Sequence, residues 1–582
     1  MFDIIIEGAK VIDGSGGSPY SADIGIKGDR IEAIGNFSEN GAKDRIRAHG
    51  KTVCPGFIDV HSHADLTYFR PDHSTLLEPL VRQGITTFVG GNCGMALAPL
   101  TKENWEGQKT YLEVFTQMEF EKDVRWSDMA SFLDYLEKDG IVMNTAMLAP
   151  HGMIRISALD LSRALASPEQ LSDMQNILAE CLEGGAIGLS TGLQYFPGSC
   201  SDTRELVELG KVLKKYDGIF VSHMRSYTKS TLPNAIEEVV TVARENQIKA
   251  QISHIYTVPW FGRAHVQVMN ALRFLANHSD VAVKVFPESL LLSGASNTLK
   301  IIDEHRKSGL DIGADLTPVT GGFTHLLAFY PPWALEGTRE DVMERLADSA
   351  LRAQMKKDIE EGEPRWDHRG RNDWSLNIIK LLGWSSVQIM AVHSEKNRKY
   401  EGRRFVDIAR EEGRDPFDVM CDLLLEEEGR VLVIASLGRP DDELTEKMKI
   451  IPALLDSSIS IVTDAVLLGV GKPSFLFYGC FPKIVGRYVY DMKVISLEEA
   501  IKRFTSLPAA QLNIRDRGLI KEGYYADMLI IEPESFRTKA TFDDPKHFPQ
   551  GLEMVMINGK IVLKDGKYDP QIKPGKVLRR QG

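Results

Sequence analysis

The chain is short of cysteine, of long apolar runs and of positive charge. Its six cysteines, Cys54, Cys93, Cys181, Cys200, Cys421 and Cys480, are scattered through 582 residues and form no CxxC pair. That spacing argues against a disulfide framework and fits a reducing compartment. No apolar run approaches the roughly 18 residues that span a bilayer. The opening MFDIIIEGAKVIDG has neither a basic leader nor a long apolar core and reads as a first strand, so a cytoplasmic protein is expected. The formal net charge is −12, which disfavours nucleic acid and anionic lipid as partners and points to a small molecule. Self-association is left open. No GxGxxG follows the first buried strand, which counts against a doubly wound nucleotide-binding sheet.

What is present is organised in two textures. Residues 1–54 alternate apolar and polar positions between Gly and Asp turns, as in FDIIIEG and SADIGIKGDRIEAIG. The C-terminal segment repeats this in YYADMLIIE and LEMVMINGKIVLKDGKY, with Asn558-Gly559 as a hairpin turn. We expect a small β-sandwich built from both ends, residues 1–54 plus 470–582, its strands mainly from 515 onward. The middle, residues 55–510, alternates helical stretches with short, continuously apolar runs at 56–63, 86–94, 143–152, 186–193, 218–224, 249–255, 311–318 and 458–465. Runs of that kind are strands of a parallel sheet buried on both faces, and eight of them predict an α/β fold, a (β/α)8 TIM barrel. The helical segment after Pro331-Pro332 predicts a lid-like insertion over 320–385. The runs at 387–394 and 430–436 are expected at the barrel's periphery.

Polar residues close almost every barrel strand. The first ends in His61-Ser62-His63, whose imidazoles share one face because strand residues two apart do. The second ends in Asn92-Cys93-Gly94, the fifth in His223, the sixth in His254 and the eighth in Asp464. Barrel sites lie at the C-terminal strand ends. Thiolate, imidazole and carboxylate from about 400 residues of chain should therefore meet there, and they are the ligands zinc prefers. A single buried His or Cys is most often a packed core residue. The recurrence at five strand ends carries the reading of a zinc site with His61, His63, Cys93, His223, His254 and Asp464 as ligands. His151, which closes the third strand, is expected to touch substrate or a ligand. His49, His73, His278, His305, His368 and His547 stand in polar surroundings and are expected at the surface.

The segment PGFIDVHSHAD resembles the signature of the amidohydrolase superfamily. GGNCG (90–94), APHGMIR (149–155), GLSTGLQYFPG (188–198), SHMRS (222–226), PPWALEG (331–337), FPKIVGRYV (481–489) and the closing ATFDDPKHFPQGLEMVMINGKIV resemble, along nearly the whole chain, the N-acyl-D-amino-acid deacylases or D-aminoacylases. That resemblance implies a metal-dependent hydrolase of a linear C–N amide bond. In it Cys93 takes the bridging position that a carboxylated Lys holds in other amidohydrolases. Cys93, His223 and His254 would form one tight zinc site, and His61, His63 and Asp464 a weaker second one. Zinc bound by a thiolate and two imidazoles keeps one position open for water and lowers that water's pKa to around 7, giving hydroxide as nucleophile. Asp464 would be the catalytic base and acid. Tyr195 would donate to the oxyanion, and Arg225 would orient a ligand or meet substrate.

Two departures from the family pattern fall in the substrate pocket. Tyr256 stands where the family places Lys for the substrate carboxylate. The seventh strand reads Asp315-Leu316-Thr317-Pro318-Val319 in place of DxYPY, so two tyrosines are missing. These changes predict a larger or less anionic substrate than a simple N-acetyl-D-amino acid, unless Arg225 or Arg263 supplies the cation. Two other readings are a hydrolase of cyclic amides, like hydantoinases and dihydroorotases, and a non-catalytic barrel scaffold. The missing carboxylated Lys argues against the first, and the complete set of metal-binding side chains against the second.

Overall fold

The computed structural model describes residues 1–580 except 121–123, 257–260, 262–263, 266, 269–270, 272–292, 320, 364–365, 367–376 and 437–445. Arg263, His278 and His368 lie outside the described residues.

The two chain ends share one nine-stranded sheet. Thr52–Pro55 pairs antiparallel with Met528–Ile531, Met528 opposite Pro55 and Ile531 opposite Thr52. Ile6, Ile24, Ile26 and Val53 from one end pack in one apolar cluster with Met528, Ile530, Met554 and Met556 from the other. Alternation explains the pattern, since every second side chain of a strand faces the same way. The Asn558-Gly559 turn has positive φ at both residues, 47° and 74°, as a two-residue hairpin requires. A Cβ on Gly559 would lie 2.2 Å from the Gly28 carbonyl oxygen, so glycine is needed there for space as well.

All eight apolar runs of the middle are parallel strands. Phe57–Asp59, Ile85–Gly90 and Asn144–Met147 form one ladder. Ala149–Pro150, Gly188–Gly192, Ile219–His223, Ala250–Ile252, Ile312–Leu316 and Ile459–Ile461 form another, in that order. The ladders meet at the third strand, where Met147 leads directly into Ala149. At the far side the eighth strand's end bonds back to the first. The Asp464 N–H donates to the His61 carbonyl and the His63 N–H to the Ala465 carbonyl, both at 2.9 Å. Asp59 reinforces this seam, accepting from the Thr463 N–H at 3.1 Å and from its hydroxyl.

Local sequence sets the intervening helices. Pro168–Glu183 starts at Ser167, whose side chain and Gln170 cap each other's backbone N–H, with Pro at the first helical position. Leu171, Met174, Leu178 and Leu182 recur at three- and four-residue spacing and are buried against the strands. Gly184-Gly185 ends the helix.

Between the seventh and eighth strands stands a body with its own core. Gly321–His325, Val431–Ser436 and Val387–Val392 form an antiparallel sheet in that order. Phe329, Tyr330, Met355, Ile359, Phe405, Phe417 and Leu424 pack with it. The runs at 387–394 and 430–436 are thus strands, but not of the parallel ladder's periphery: they pair with each other, Ile389 opposite Val433. The body extends from the expected 320–385 to residue 436 for that reason, since Gly321–His325 needs Val431–Ser436 as its partner. Among the described residues no helix is long and apolar enough to cross a membrane.

Candidate metal centre and its pocket

The strand ends bring the six expected ligands together. The thiol of Cys93 stands 3.3 Å from His61 Nε2, 3.4 Å from His223 Nδ1 and 3.8 Å from His254 Nε2. His254 Nε2 and His223 Nδ1 are 2.9 Å apart. Asp464 Oδ1 is 3.4 Å from His61 Nε2 and 3.3 Å from His63 Nε2. Two groups with room for an ion follow: His61, Cys93 and His254, and His61, His63 and Asp464. His61 belongs to both, and His223 flanks the first through Cys93 and His254.

Backbone strain marks the same residues. Cys93, His254 and Asp464 all have left-handed backbone, with φ of 52°, 34° and 56°. For non-glycine residues this is uncommon and costs of the order of 1–3 kcal/mol each. The kinks turn the side chains off the strand ends and toward one point. Gly91, two residues before Cys93, has φ 76°, and a Cβ there would lie 2.3 Å from the Leu148 carbonyl oxygen. The glycines of GGNCG thus let the second strand turn sharply against the third.

Neighbouring groups fix the rings. His223 Nε2 lies 2.8 Å from Gln194 Oε1, so it carries the proton and leaves Nδ1 bare toward Cys93. Asp315 accepts from the His254 backbone N–H and, at 3.0 Å, from Gln251 Nε2. The oxygen that accepts from His254 is also 3.7 Å from His61 Nδ1. Asp315 and Gln194 were not among the expected site residues. A carboxylate inside the apolar run DIGADL was the available signal for Asp315.

The charges of the site offset one another. Burial works against ionisation of Cys93, yet His61 above all holds its thiol well below the ordinary range. Asp464 is likewise lowered against burial, by His61 and His63. Against burial, Cys93 and Asp464 in turn raise His61 well above its usual value, and Asp464 and Cys93 bring His63 to about 10. Burial lowers His223, which keeps it neutral. Two anions ringed by buried imidazoles suit a dication. Ligand atoms around one tetrahedral zinc stand roughly 3.3–3.6 Å apart; the separations of 2.9–3.8 Å here bracket that. One sulfur, four nitrogens and one carboxylate therefore fit zinc.

The expected substrate contacts divide. The Tyr195 ring packs 4.9 Å from His223 and 5.6 Å from Phe115 and His325. Tyr256 stacks on Tyr227 at 4.1 Å, 6.0 Å from His254. Both border the cluster. The Arg225 guanidinium lies along Glu238 at 2.9 Å and donates to the Ser199 carbonyl, also at 2.9 Å. A buried guanidinium needs such a carboxylate. His151 is similarly committed, with Nε2 2.8 Å from Glu205, whose other oxygen holds Arg155. Of the histidines expected at the surface, His73 is instead buried, 3.2 Å from Asp139 and edge-on to Tyr68. His325 was missed. It is fully enclosed beside Tyr195 and Phe115, and burial alone draws its pKa to about 3.

Known proteins resemble this chain over its whole length. The sequence profile of the Amidohydrolase family matches residues 409–563. Over 582 residues the chain is 28% identical to D-aminoacylase of Alcaligenes xylosoxydans xylosoxydans, covering 100% of this chain and 98% of the relative. N-acyl-D-glutamate deacylase of the same organism is also 28% identical, with 99% and 96% covered. A solved D-aminoacylase superposes with a TM-score of 0.75 at 26% identity, covering 100% of both chains. N-acyl-D-glutamate deacylase from Bordetella bronchiseptica, solved with zinc and a phosphonate inhibitor, gives 0.74 at 25%, covering 99% of each. Over its whole length this chain is thus similar to D-aminoacylases, by sequence and by structure, and its C-terminal part matches the Amidohydrolase family.

Proposed function

We propose that this protein is a zinc-dependent deacylase that cleaves the linear amide of an N-acyl-D-amino acid or a close analogue. The observation that carries the reading is the Cys93 thiol, set among His61, His223 and His254 beside Asp464. Cys93, His223 and His254 would hold the tight ion, and His61, His63 and Asp464 a weaker one. Zinc bound there supplies Lewis-acid polarisation of the scissile carbonyl and lowers the pKa of a water beside it. Asp464 is 18% exposed, the most open of the six expected ligands, and its lowered pKa keeps it ionised. It is therefore placed to take the proton of the attacking water and pass it to the leaving amine. Tyr195 stays protonated, since burial and the nearby Cys93 push its phenol well above the usual range. A protonated phenol can donate to the oxyanion, and one positioned donor contributes roughly 3 kcal/mol to the barrier.

The architecture we read around this chemistry is a closed (β/α)8 barrel with the terminal sheet as a β-sandwich beside it. The seam between Asp464 and His61 supports closure. The body over 321–436 is read as a lid: Phe323 lies 6.5 Å from His63, and His325 against Tyr195, so its first strand walls the pocket. All six cysteines are buried free thiols, which suits a cytoplasmic location.

The test is a panel of N-acyl-D-, N-acyl-L- and cyclic amides with zinc-loaded protein. At least one N-acyl-D-amino acid or its amide should turn over with kcat/KM of about 10⁴ M⁻¹s⁻¹ or more. Turnover confined to hydantoin-like rings would favour the cyclic-amide reading, and none at all the scaffold.

A further inference from the structure

The substrate pocket was expected to lack a cation, because Tyr256 stands where the family pattern has Lys. The structure supplies one from elsewhere. Lys449 lies in the turn Glu446–Ile450, which leads through the helix Ile451–Leu455 to the eighth strand. Its ammonium donates to the Val319 carbonyl at the end of the seventh strand's run, and stands 5.3 Å from the centre of the Tyr256 ring. Tyr256 stacks on Tyr227, and the Tyr227 ring is 5.4 Å from His254 and 5.6 Å from His223. Tyr256 is itself 6.0 Å from His254, so along that direct line its ring alone stands between Lys449 and the metal cluster.

The other cations near the site are taken. Arg225 is held by Glu238, Arg155 by Glu205, and Lys483 and Arg487 both by Glu446. Among the described residues Lys449 has no carboxylate within ion-pair distance. An ammonium has three donors, and a carbonyl answers one. Asp464 acts on it from a distance, while its own oxygens face His61 and His63. Burial, against the pull of Asp464, draws the Lys449 pKa down to about 7. A partly buried cation without a counter-charge is an unfavourable arrangement in a folded protein unless something else completes it.

We infer that Lys449 is a specificity-determining residue that receives the anionic group of the substrate, a carboxylate set one aromatic ring away from the scissile amide. This rests on the deacylase reading above for the location of that amide. It also revises the expectation of a less anionic substrate: the pocket keeps a cation, on a different element, approaching from the side where Thr317 and Val319 replace the two tyrosines.

N-acetyl-D-methionine and its primary carboxamide are the same size and differ by one charge, so they isolate the contact. Steady-state kinetics of the zinc-loaded wild type, Lys449→Met and Lys449→Arg should be compared on both. The wild type should prefer the acid. Lys449→Met should reduce the acid-over-amide preference in kcat/KM roughly 30-fold or more, mainly through KM, as loss of one partner of a desolvated charge pair does. Lys449→Arg should restore most of it. An equal loss on both compounds would mean that Lys449 only supports the fold, and an unchanged preference would remove it from the pocket; either overturns the inference. Calorimetric titration of the zinc-loaded Asp464→Asn variant with the same pair, with and without Lys449→Met, reads binding without turnover. Tighter binding of the acid that depends on Lys449, together with a zinc-loaded wild type that hydrolyses neither compound, would keep the anion site and reject the deacylase. Hydrolysis of both with no Lys449-dependent preference would keep the deacylase and reject the anion site.

Discussion

Asp464→Asn is expected to fold, to keep its tightly bound zinc and to lose roughly 10²–10⁴ of kcat, the range of a positioned acid–base group. In barrier terms that is about 3–5 kcal/mol. The fold should tolerate the change because Asp464 sits at φ 56°, and Asn adopts left-handed backbone about as readily as Asp. The Asp464 N–H that closes the seam to His61 is also unaffected. The tight ion should survive because Cys93, His223 and His254 are untouched. What is removed is the proton acceptor: the carboxylate is ionised at neutral pH because His61 and His63 outweigh its burial, and an amide cannot take a proton from water. The check is kcat on an identified substrate together with zinc analysis of the same sample. A loss under about tenfold would assign the base to another group.

Cys93→Ala is expected to lose the tight zinc and, with it, measurable hydrolysis. The thiol is the common neighbour of His61, His223 and His254, so it supplies the anionic charge that draws the cation between them. Zinc favours thiolate, and no other carboxylate or thiol reaches that point among the described residues. The variant should remain folded, since Ala fills a buried position as a small apolar residue and the left-handed turn at 93 is held by Gly91 and Gly94 on either side. Elemental analysis decides it. Unchanged zinc content would return Cys93 to the role of a packing residue.

The sequence made the strands and the ligands legible for the same reason. A buried parallel strand is a short continuous apolar run, and a polar residue at its end stands out. All eight runs are parallel strands, and the six expected ligands stand together. What the sequence hid depends on partners far along the chain. Arg225 and His151 looked like pocket residues because they follow strand ends. Only the fold shows that Glu238 and Glu205 claim them. His73 looked polar because its neighbours are, yet it turns inward to Tyr68. Lys449 sits in the charged string TEKMK, which has the texture of an exposed helix, and nothing local distinguishes it from Lys447. The antiparallel sheet of 321–436 was obscured because Val387–Val392 and Val431–Ser436 are apolar enough to pass for barrel strands, Gly321–His325 reads only GGFTH, and pairing direction leaves no mark on composition.

Zinc content and hydrolysis measured side by side on one preparation bear most directly on the metal centre. Purified protein should carry at least one zinc per chain. Stripping it with a chelator should abolish cleavage of an identified N-acyl substrate, and adding zinc back should restore it in proportion to the ion bound. Full turnover by protein shown to be free of metal would contradict the assignment of Cys93, His223 and His254 as the ligands of a catalytic ion.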